Sequence, residues 1–400
     1  MSQVLESKTP RTFASARVAV TICFSIAVLE GFDIQAVGVT AAKIAPALHL
    51  ARDQMGWVFA ASNLGLVFGA SVGGWLADRF GRKPVLAGAV IVFALFTLGT
   101  ALANAYGWML AARILTGLGL GAAIPNMIAI ASDISSPRGR AVTTSLMFCG
   151  MPVGGALAAL LTASLPADFD YRLVFVIGGI LPLLISPVVL MALPETRPAP
   201  SGARVSGQTI PNALFGDGRI PATMLLWTAF VPTSLILYLM LNWLPILVTG
   251  RGLPASAGPQ AALAFNIGGV IGALILGRIV DQVGPRWSLG LAFAGLVAAM
   301  LALAYTHPFI AIMACCALVG GLIIGSQYAL YSLAPRLYPS AFRATGAGAA
   351  VALSRVGSII GPLLGGILPQ GQVLPALAPL AILAGLAVVA LTFAARFHDD

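Results

Sequence analysis

Charge is scarce in this 400-residue chain: only 9% of it is Asp, Glu, Lys or Arg. A soluble domain carries roughly a quarter charged residues, so an ordinary water-soluble enzyme is excluded. Charge runs are missing and 59% of residues are hydrophobic, which excludes disorder. The 45 Gly and 26 Pro show no three-residue period, which excludes a collagen-like chain. Cysteine is limited to Cys23, Cys149, Cys315 and Cys316, all in apolar runs and without metal-ligand spacing. They read as small buried hydrophobes rather than disulfides or a zinc site. His49, His307 and His398 fall near expected segment ends or in the tail, and none looks like a catalytic centre. No metal or cofactor is expected. What the chain has is apolar length: mean hydropathy is +0.96, and the class that remains is a polytopic membrane protein.

A hydrocarbon core of about 30 Å needs about 20 mostly apolar residues per helix. That rule places spans at about 17–41, 55–77, 85–104, 107–131, 141–164 and 171–192. A second set falls at about 221–248, 257–280, 287–305, 309–334, 344–368 and 373–395. Residues 1–16 are polar and no small-residue cleavage pattern follows the first apolar run, so no cleaved signal is expected.

Sixteen of the 22 Lys and Arg lie in the N-tail, the even-to-odd loops and the C-tail. Four (Lys43, Arg52, Arg172, Arg251) lie on the opposite side, and Arg113 and Arg355 fall inside spans. The positive-inside bias puts both termini in the cytoplasm. The net charge of +9 is therefore a topology signal and implies no nucleic-acid partner. Residues 196–219 form the one long polar stretch containing Pro, Gly and Ser, and they read as a linker between helical units 1–195 and 220–400. A repeat supports that division: Gly74-Trp-Leu-Ala-Asp78-Arg-Phe-Gly81-Arg82-Lys83 recurs as Gly277-Arg-Ile-Val-Asp281-Gln-Val-Gly284-Pro-Arg286, and Arg140-Ala141 as Arg343-Ala344, all at an offset of 203. Six helices per copy leave the copies parallel, an all-α membrane architecture of two six-helix bundles with a site at their interface near mid-membrane.

The loop from Gly74 to Lys83 resembles the signature G-x-L-a-D-R-x-G-R-[RK] of the major facilitator superfamily at every signature position. Arg113-Ile-Leu-Thr-Gly117-Leu-Gly119-Leu-Gly121 resembles its fourth-helix signature, and Leu193-Pro-Glu195-Thr the usual end of helix six. In helix one, Glu30-Gly31-Phe32-Asp33-Ile-Gln35 resembles the acidic-G-aromatic-D-x-Q motif of aromatic acid:proton symporters. Further stretches around Asn126, Asn242-Trp243, Gln327-Tyr328-Ala-Leu-Tyr331, Arg343 and Arg355 are similar to members that carry hydroxyphenylpropionate-type acids. Two departures stand out. The second copy has Gln282 and Pro285 where the first has Arg79 and Arg82, and Gly150-Met-Pro152-Val-Gly154-Gly155 only approximates the G-P-x-x-G-G signature of antiporters.

Glu30, Asp33, Arg113 and Arg355 are the charges placed at membrane depth. A charge at a helix centre costs at least about 2.5 kcal/mol on an insertion scale, so each must face a partner or a water-filled cavity. None of the four has a charged counterpart at the 203 offset, so none is inherited from the repeat. Glu30 and Asp33, three apart, share a helix face. Two carboxyls that close in low dielectric do not both ionise easily, so one is expected to hold a proton. The face of Arg113 also carries Gly117 and Gly121, which would admit a close neighbour. The resemblance makes that neighbour helix one and pairs Arg113 with Asp33; the alternative role is a static ion pair. Arg355 lies about twelve residues from the cytoplasmic start of its helix, about 18 Å deep at 1.5 Å per residue. With no acidic residue expected in any second-half helix, its planar guanidinium suits a carboxylate substrate, or else backbone carbonyls or Glu30.

Asn242, Trp243, Gln327, Tyr328, Tyr331 and Tyr238 could line an aromatic pocket or simply pack, and Asn126 is a weaker candidate. By resemblance, Asp78, Arg79, Gly81, Arg82 and Lys83, with Asp281, Arg286 and Arg343, form a latch that favours closure on the cytoplasmic side. The expectation is therefore a monomeric proton symporter of the bacterial inner membrane that imports an aromatic monocarboxylate by alternating access. A symporter of aliphatic anions and an efflux antiporter are the alternatives within the fold. An intramembrane enzyme finds no metal cluster and no Ser-His arrangement to use.

Overall fold

The computed structural model describes residues 13–134, 147–166, 168–193, 195, 210–339 and 342–394. The linker residues 196–209, Arg138 and Arg140 lie outside the described residues. In hydrocarbon every backbone N–H and C=O must be satisfied within the segment, which leaves these apolar runs only the helix. The first half contributes α1 (Phe13–Ala47), α2 (Arg52–Phe80), α3 (Arg82–Ala101), α4 (Tyr106–Ile134), α5 (Gly150–Ser164) and α6 (Arg172–Ala192). The second contributes α7 (Ile220–Thr249), α8 (Ala257–Val283), α9 (Pro285–Tyr305), α10 (Phe309–Leu333), α11 (Arg343–Ile367) and α12 (Val373–Ala394), preceded by a short helix, Ile210–Phe215. Among the described residues eleven helices are long and apolar enough to cross a membrane, and Gly150–Ser164 is a shorter apolar one. Several helices overrun the apolar windows. Asp78 and Arg79 end α2, and Asp281 lies in the last turn of α8, so one second-half helix does carry an acid, at its cytoplasmic end.

The duplication is written into the backbone. Gly81 joins α2 to α3 at φ 95°, ψ 157°, and Gly284 joins α8 to α9 at φ 88°, ψ 159°. Both lie in the left-handed region that glycine adopts without penalty. Each donates its N–H back to the helix it closes, Gly81 to Ala77 O and Gly284 to Val280 O, both at 3.0 Å. The starts of α3 and α4 match those of α9 and α10 at the same offset of 203.

Helix packing repeats as well. A Cβ on Gly65 or Gly117 would overlap the backbone of Ile114 or Ser62, so α2 and α4 touch main chain to main chain. Gly268 and Gly320 stand in the same relation to Ala317 and Phe265, fixing α8 against α10. Gly154 packs on Val28 O and Gly357 on Val231 O, so α1–α5 has its counterpart in α7–α11. Small residues permit this approach, and without a hydrophobic drive inside lipid it is van der Waals contact that holds such pairs.

Between the halves, several of the contacts among the described residues sit on the outer side in the positive-inside orientation. Gly38 of α1 lies against the backbone of Leu241 and Asn242, and Gly56 of α2 against Pro362 O. Arg52 Nε donates to Gly365 O at 3.0 Å, and Asn63 Nδ2 to Ser358 O at 3.2 Å. Gln35 and Asn266, buried on α1 and α8, exchange two amide hydrogen bonds of 3.0 and 2.7 Å. Asn63 and Asn266 occupy equivalent positions in the two copies, so each half offers an asparagine to the other. Nearer the cytoplasmic ends, Tyr328 OH donates to Phe148 O at 3.0 Å.

Candidate functional site

α1 is anchored at Gly31, whose missing side chain leaves room for the Met151 backbone of α5. The helix therefore presents Glu30 and Asp33 inward, both at 1% exposure or less. Arg113 reaches Asp33 from α4: Nη1 donates to Oδ1 at 3.1 Å, and Nη2 stands 3.0 Å from Oδ2. The second contact is an ion pair without hydrogen-bond alignment, so Oδ2 accepts no hydrogen bond. Thr97 of α3 donates to Oδ1 at 2.6 Å, and Arg113 Nη2 also donates to Ser62 Oγ of α2 at 3.1 Å. Four helices thus converge on one fully desolvated pair. Removing one partner of such a pair costs about 3–5 kcal/mol, because it strands the other charge.

The expected Asp33–Arg113 pairing is present, but the glycines beside Arg113 serve a different neighbour. Gly117 and Gly121 lie against the Ser62 and Leu66 backbone of α2, and α1 is reached by the long guanidinium arm instead. Ser62 and Thr97 are site residues that the sequence reading missed. Hydroxyls beside a buried ion pair give no signal in one dimension.

The second cluster gathers around Arg355 on α11. Its Nη1 donates to Tyr238 Oη on α7 at 3.0 Å. Among the described residues no carboxylate lies within ion-pair distance of Arg355; its partner in the protein is a phenol. Tyr331 of α10 faces the same guanidinium, with Gln327 and Ser354 beside it. Tyr328 stacks on Tyr331 at 6.3 Å between centroids, and Phe230 lies 5.5 Å from Tyr331. Ser234 Oγ donates to Gln327 Oε1 at 3.2 Å, leaving the buried Gln327 Nε2 without a partner, and Ser326 Oγ is likewise unpartnered. Glu30 lies in the field of Arg355 and Tyr328, so the acid of one half faces the cation and aromatics of the other. Its Oε1 is buried and accepts no hydrogen bond.

Other candidates go elsewhere. Trp243, 1% exposed, donates to Pro362 O at 2.8 Å, meets Phe59 edge-on at 5.1 Å and has Arg52 over its ring at 4.9 Å. It seals the outer contact between the halves. Asn242 turns back on its own helix, to Tyr238 O at 2.7 Å, and Asn126 to Ala122 O at 2.8 Å. At the cytoplasmic end Gly81 accommodates the Glu195 carboxylate, where a Cβ would overlap Oε1. Among the described residues Asp78 is exposed and makes no ion pair, while Arg79 lies over Trp75 and Phe80 of its own helix. Arg286 lies 3.7 Å from the Phe393 ring, in the second half, and Asp281 is exposed. Arg82, Lys83 and Arg343 are half-buried.

Residues 23–362 and 261–399 match the family model described as Major Facilitator Superfamily. The chain belongs to this superfamily. It is a multi-pass membrane transporter rather than an enzyme. It is 41% identical to the 3-(3-hydroxy-phenyl)propionate transporter of Escherichia coli, over 96% of each chain. It is 33% identical to a 4-hydroxybenzoate transporter of Pseudomonas putida, over 92% of this chain and 91% of that one. A gallate transporter of Pseudomonas putida is 32% identical over 92% and 90%. Among solved structures, a D-xylose-proton symporter superposes with a TM-score of 0.79 at 16% identity, covering 93% of this chain and 97% of that one. A bacterial Spinster homologue superposes at 0.73 with 18% identity over 96% of both. These structures share the fold.

Proposed function

We propose that this protein is a proton-coupled symporter that imports an aromatic monocarboxylate, of the hydroxyphenylpropionate type, across the bacterial inner membrane by alternating access. The observation that carries this reading is Arg355: a half-buried cation whose protein partner is Tyr238 Oη, with Tyr331 facing it and Tyr328 stacked on Tyr331. A guanidinium with no carboxylate at ion-pair distance among the described residues suits one brought by the substrate, held through paired N–H donors. The tyrosines supply ring faces, and Gln327 Nε2 and Ser326 Oγ are unpartnered groups for a ring hydroxyl. The relatives' substrates named above share a ring, a carboxylate and at least one hydroxyl.

Glu30, Asp33 and Arg113 form the proton-coupling group, and the two six-helix units (1–195 and 220–400) rock about the site with 196–219 as their tether. Asp78 is exposed in this structure. In the alternate state it pairs across the interface with the basic latch residues. One proton moving with one monoanion transfers no net charge, so such a cycle draws on the pH gradient alone. A second proton would add about 2.3 kcal/mol per 100 mV of membrane potential.

Proteoliposomes loaded with buffer and exposed to a panel of aromatic and aliphatic acids, with and without an inward proton gradient, test this reading. Gradient-dependent accumulation of a hydroxyphenylpropionate, competed by aromatic but not aliphatic acids, is the expected result. Equal competition by aliphatic acids, or extrusion instead of uptake, refutes it.

A further inference from the structure

The two acids of α1 sit in opposite environments. Asp33 is held by Arg113 through two contacts of 3.1 and 3.0 Å and by Thr97 at 2.6 Å. Asp33 Oδ2 accepts no hydrogen bond, but protonating it would leave Arg113, 0% exposed, without its counter-charge. Glu30, one turn earlier and 1% exposed, has an Oε1 with no donor at all. A buried carboxylate oxygen without a donor is costly to keep charged, and a proton on it removes that cost. The charge that reaches Glu30 most strongly is Arg355, on the other half.

We propose that Glu30 alone carries the coupled proton, while Asp33 remains an ionised positioning residue for Arg113. Glu30 and the substrate carboxylate alternate as the counter-charge of Arg355. This rests on the proton-coupled reading above. With Glu30 protonated, Arg355 is free for the substrate anion. Once the anion leaves to the cytoplasm, the Glu30 O–H bond breaks, the proton passes to cytoplasmic water, and the carboxylate answers the guanidinium from across the interface. A proton taken from the outer side re-forms the O–H bond before the next anion binds. One proton and one monoanion cross per cycle, and charge balances.

Among the described residues the surroundings contain no rival carrier. The ionisable groups facing Glu30 are Asp33 on its own helix, Tyr328 on α10 and Arg355 on α11, with Arg113 behind Asp33 and Tyr238 behind Arg355. α5, packed on α1 at Gly31, has no ionisable residue between Gly150 and Ser164. The charges of the other neighbours sit at helix ends: Arg52, Asp53, Asp78 and Arg79 on α2, Arg172 on α6, Arg278 and Asp281 on α8.

The glutamates of the chain are Glu6, Glu30 and Glu195, so Glu30 is the one placed within the bilayer and isotope labelling of glutamate is nearly site-specific. In the reconstituted full-length protein, infrared difference spectra on addition of 3-(3-hydroxyphenyl)propionate should show a protonated-carboxyl band that shifts with 13C-glutamate and not with 13C-aspartate. Wild-type affinity should fall up to about tenfold per pH unit as pH rises, since the bound form carries one extra proton. In Glu30→Gln both the band and the pH dependence should vanish, and gradient-driven accumulation should drop to its level without a gradient. Asp33→Asn should weaken binding at every pH while keeping its slope. A band that moves with the aspartate label, or a Glu30→Gln affinity that still follows pH, overturns the assignment. If the wild type itself shows neither pH-dependent affinity nor gradient-driven uptake, the symport reading fails instead.

Discussion

The amide pair between Gln35 and Asn266 offers a direct measure of what holds the outer side shut. Both side chains are 4% exposed or less, and each donates one hydrogen bond to the other. Gln35 is wedged in place, because a Cβ on Gly155 would occupy its amide. Replacing Asn266 with Ala leaves the Gln35 amide buried and unpaired in the closed arrangement, a penalty of about 1–3 kcal/mol. In an outward-open arrangement water solvates that amide, so the penalty falls on the closed state only. A bias of about 1–3 kcal/mol shifts the equilibrium towards outward-open by roughly 5–150-fold. Spin labels at Leu102→Cys and Ile310→Cys, exposed at the outer ends of the two halves, would report the shift as a longer inter-label distance. The native cysteines are replaced in that background. Gln35→Leu combined with Asn266→Leu should restore closure, since two apolar partners leave no unpaired group. An unchanged distance distribution in Asn266→Ala, or a double variant as open as the single one, refutes the reasoning.

Other outcomes follow from the same geometry. Gly117→Val should lower thermal stability in detergent by about 1–3 kcal/mol or prevent folding, because its side chain overlaps the Ser62 backbone; a wild-type melting profile would contradict the close packing. Gly81→Ala and Gly284→Ala carry similar strain at φ 95° and 88°, yet only Gly81 has Glu195 in the way. Gly81→Ala should therefore be the more destabilising in melting curves, and equal losses would remove Glu195 from the account. Arg355→Lys should weaken substrate binding at least tenfold by losing the planar fork, whereas Tyr238→Phe should weaken it less, since it removes one hydrogen bond to the guanidinium and leaves the charge and the fork in place. Titration calorimetry separates the two, and wild-type affinity in Arg355→Lys would take that residue out of the site.

The spans were legible because hydrocarbon forbids any other use of long apolar runs, and Gly81 and Gly284 marked the repeat because the tight turn between paired helices needs glycine. Asp33 and Arg113 could be paired in advance only through the family resemblance, because the scarcity of charge inside the bilayer left Glu30 as an equal partner. Trp243, Asn242 and Asn126 were harder. A polar or aromatic residue on a buried helix looks the same in sequence whether it faces a cavity, a neighbouring helix or its own backbone, and these three face the last two. Asn266 escaped notice, yet the offset of 203 that ties it to Asn63 was a usable signal. The proposed division between Glu30 and Asp33 lay beyond the sequence, since it rests on Thr97 reaching Asp33 from α3 and Ser62 reaching Arg113 from α2.

The glycine contacts that join α2 to α4 and α8 to α10 limit how this protein can move. Gly65 and Gly117 in one half, and Gly268 and Gly320 in the other, put main chain on main chain. There are no side chains between them to change rotamer, so neither pair can slide gradually past its mate. Each pair therefore behaves as a solid beam, and the flexing of a transport cycle is confined to the joints where the beams of opposite halves meet. Thermal fluctuations cannot dissipate as many small adjustments within a half, and are converted into tilting of one half against the other. In the proposed cycle, stiffness built from the smallest residue lets a proton exchanged at one carboxyl be felt as the tilting of a whole half.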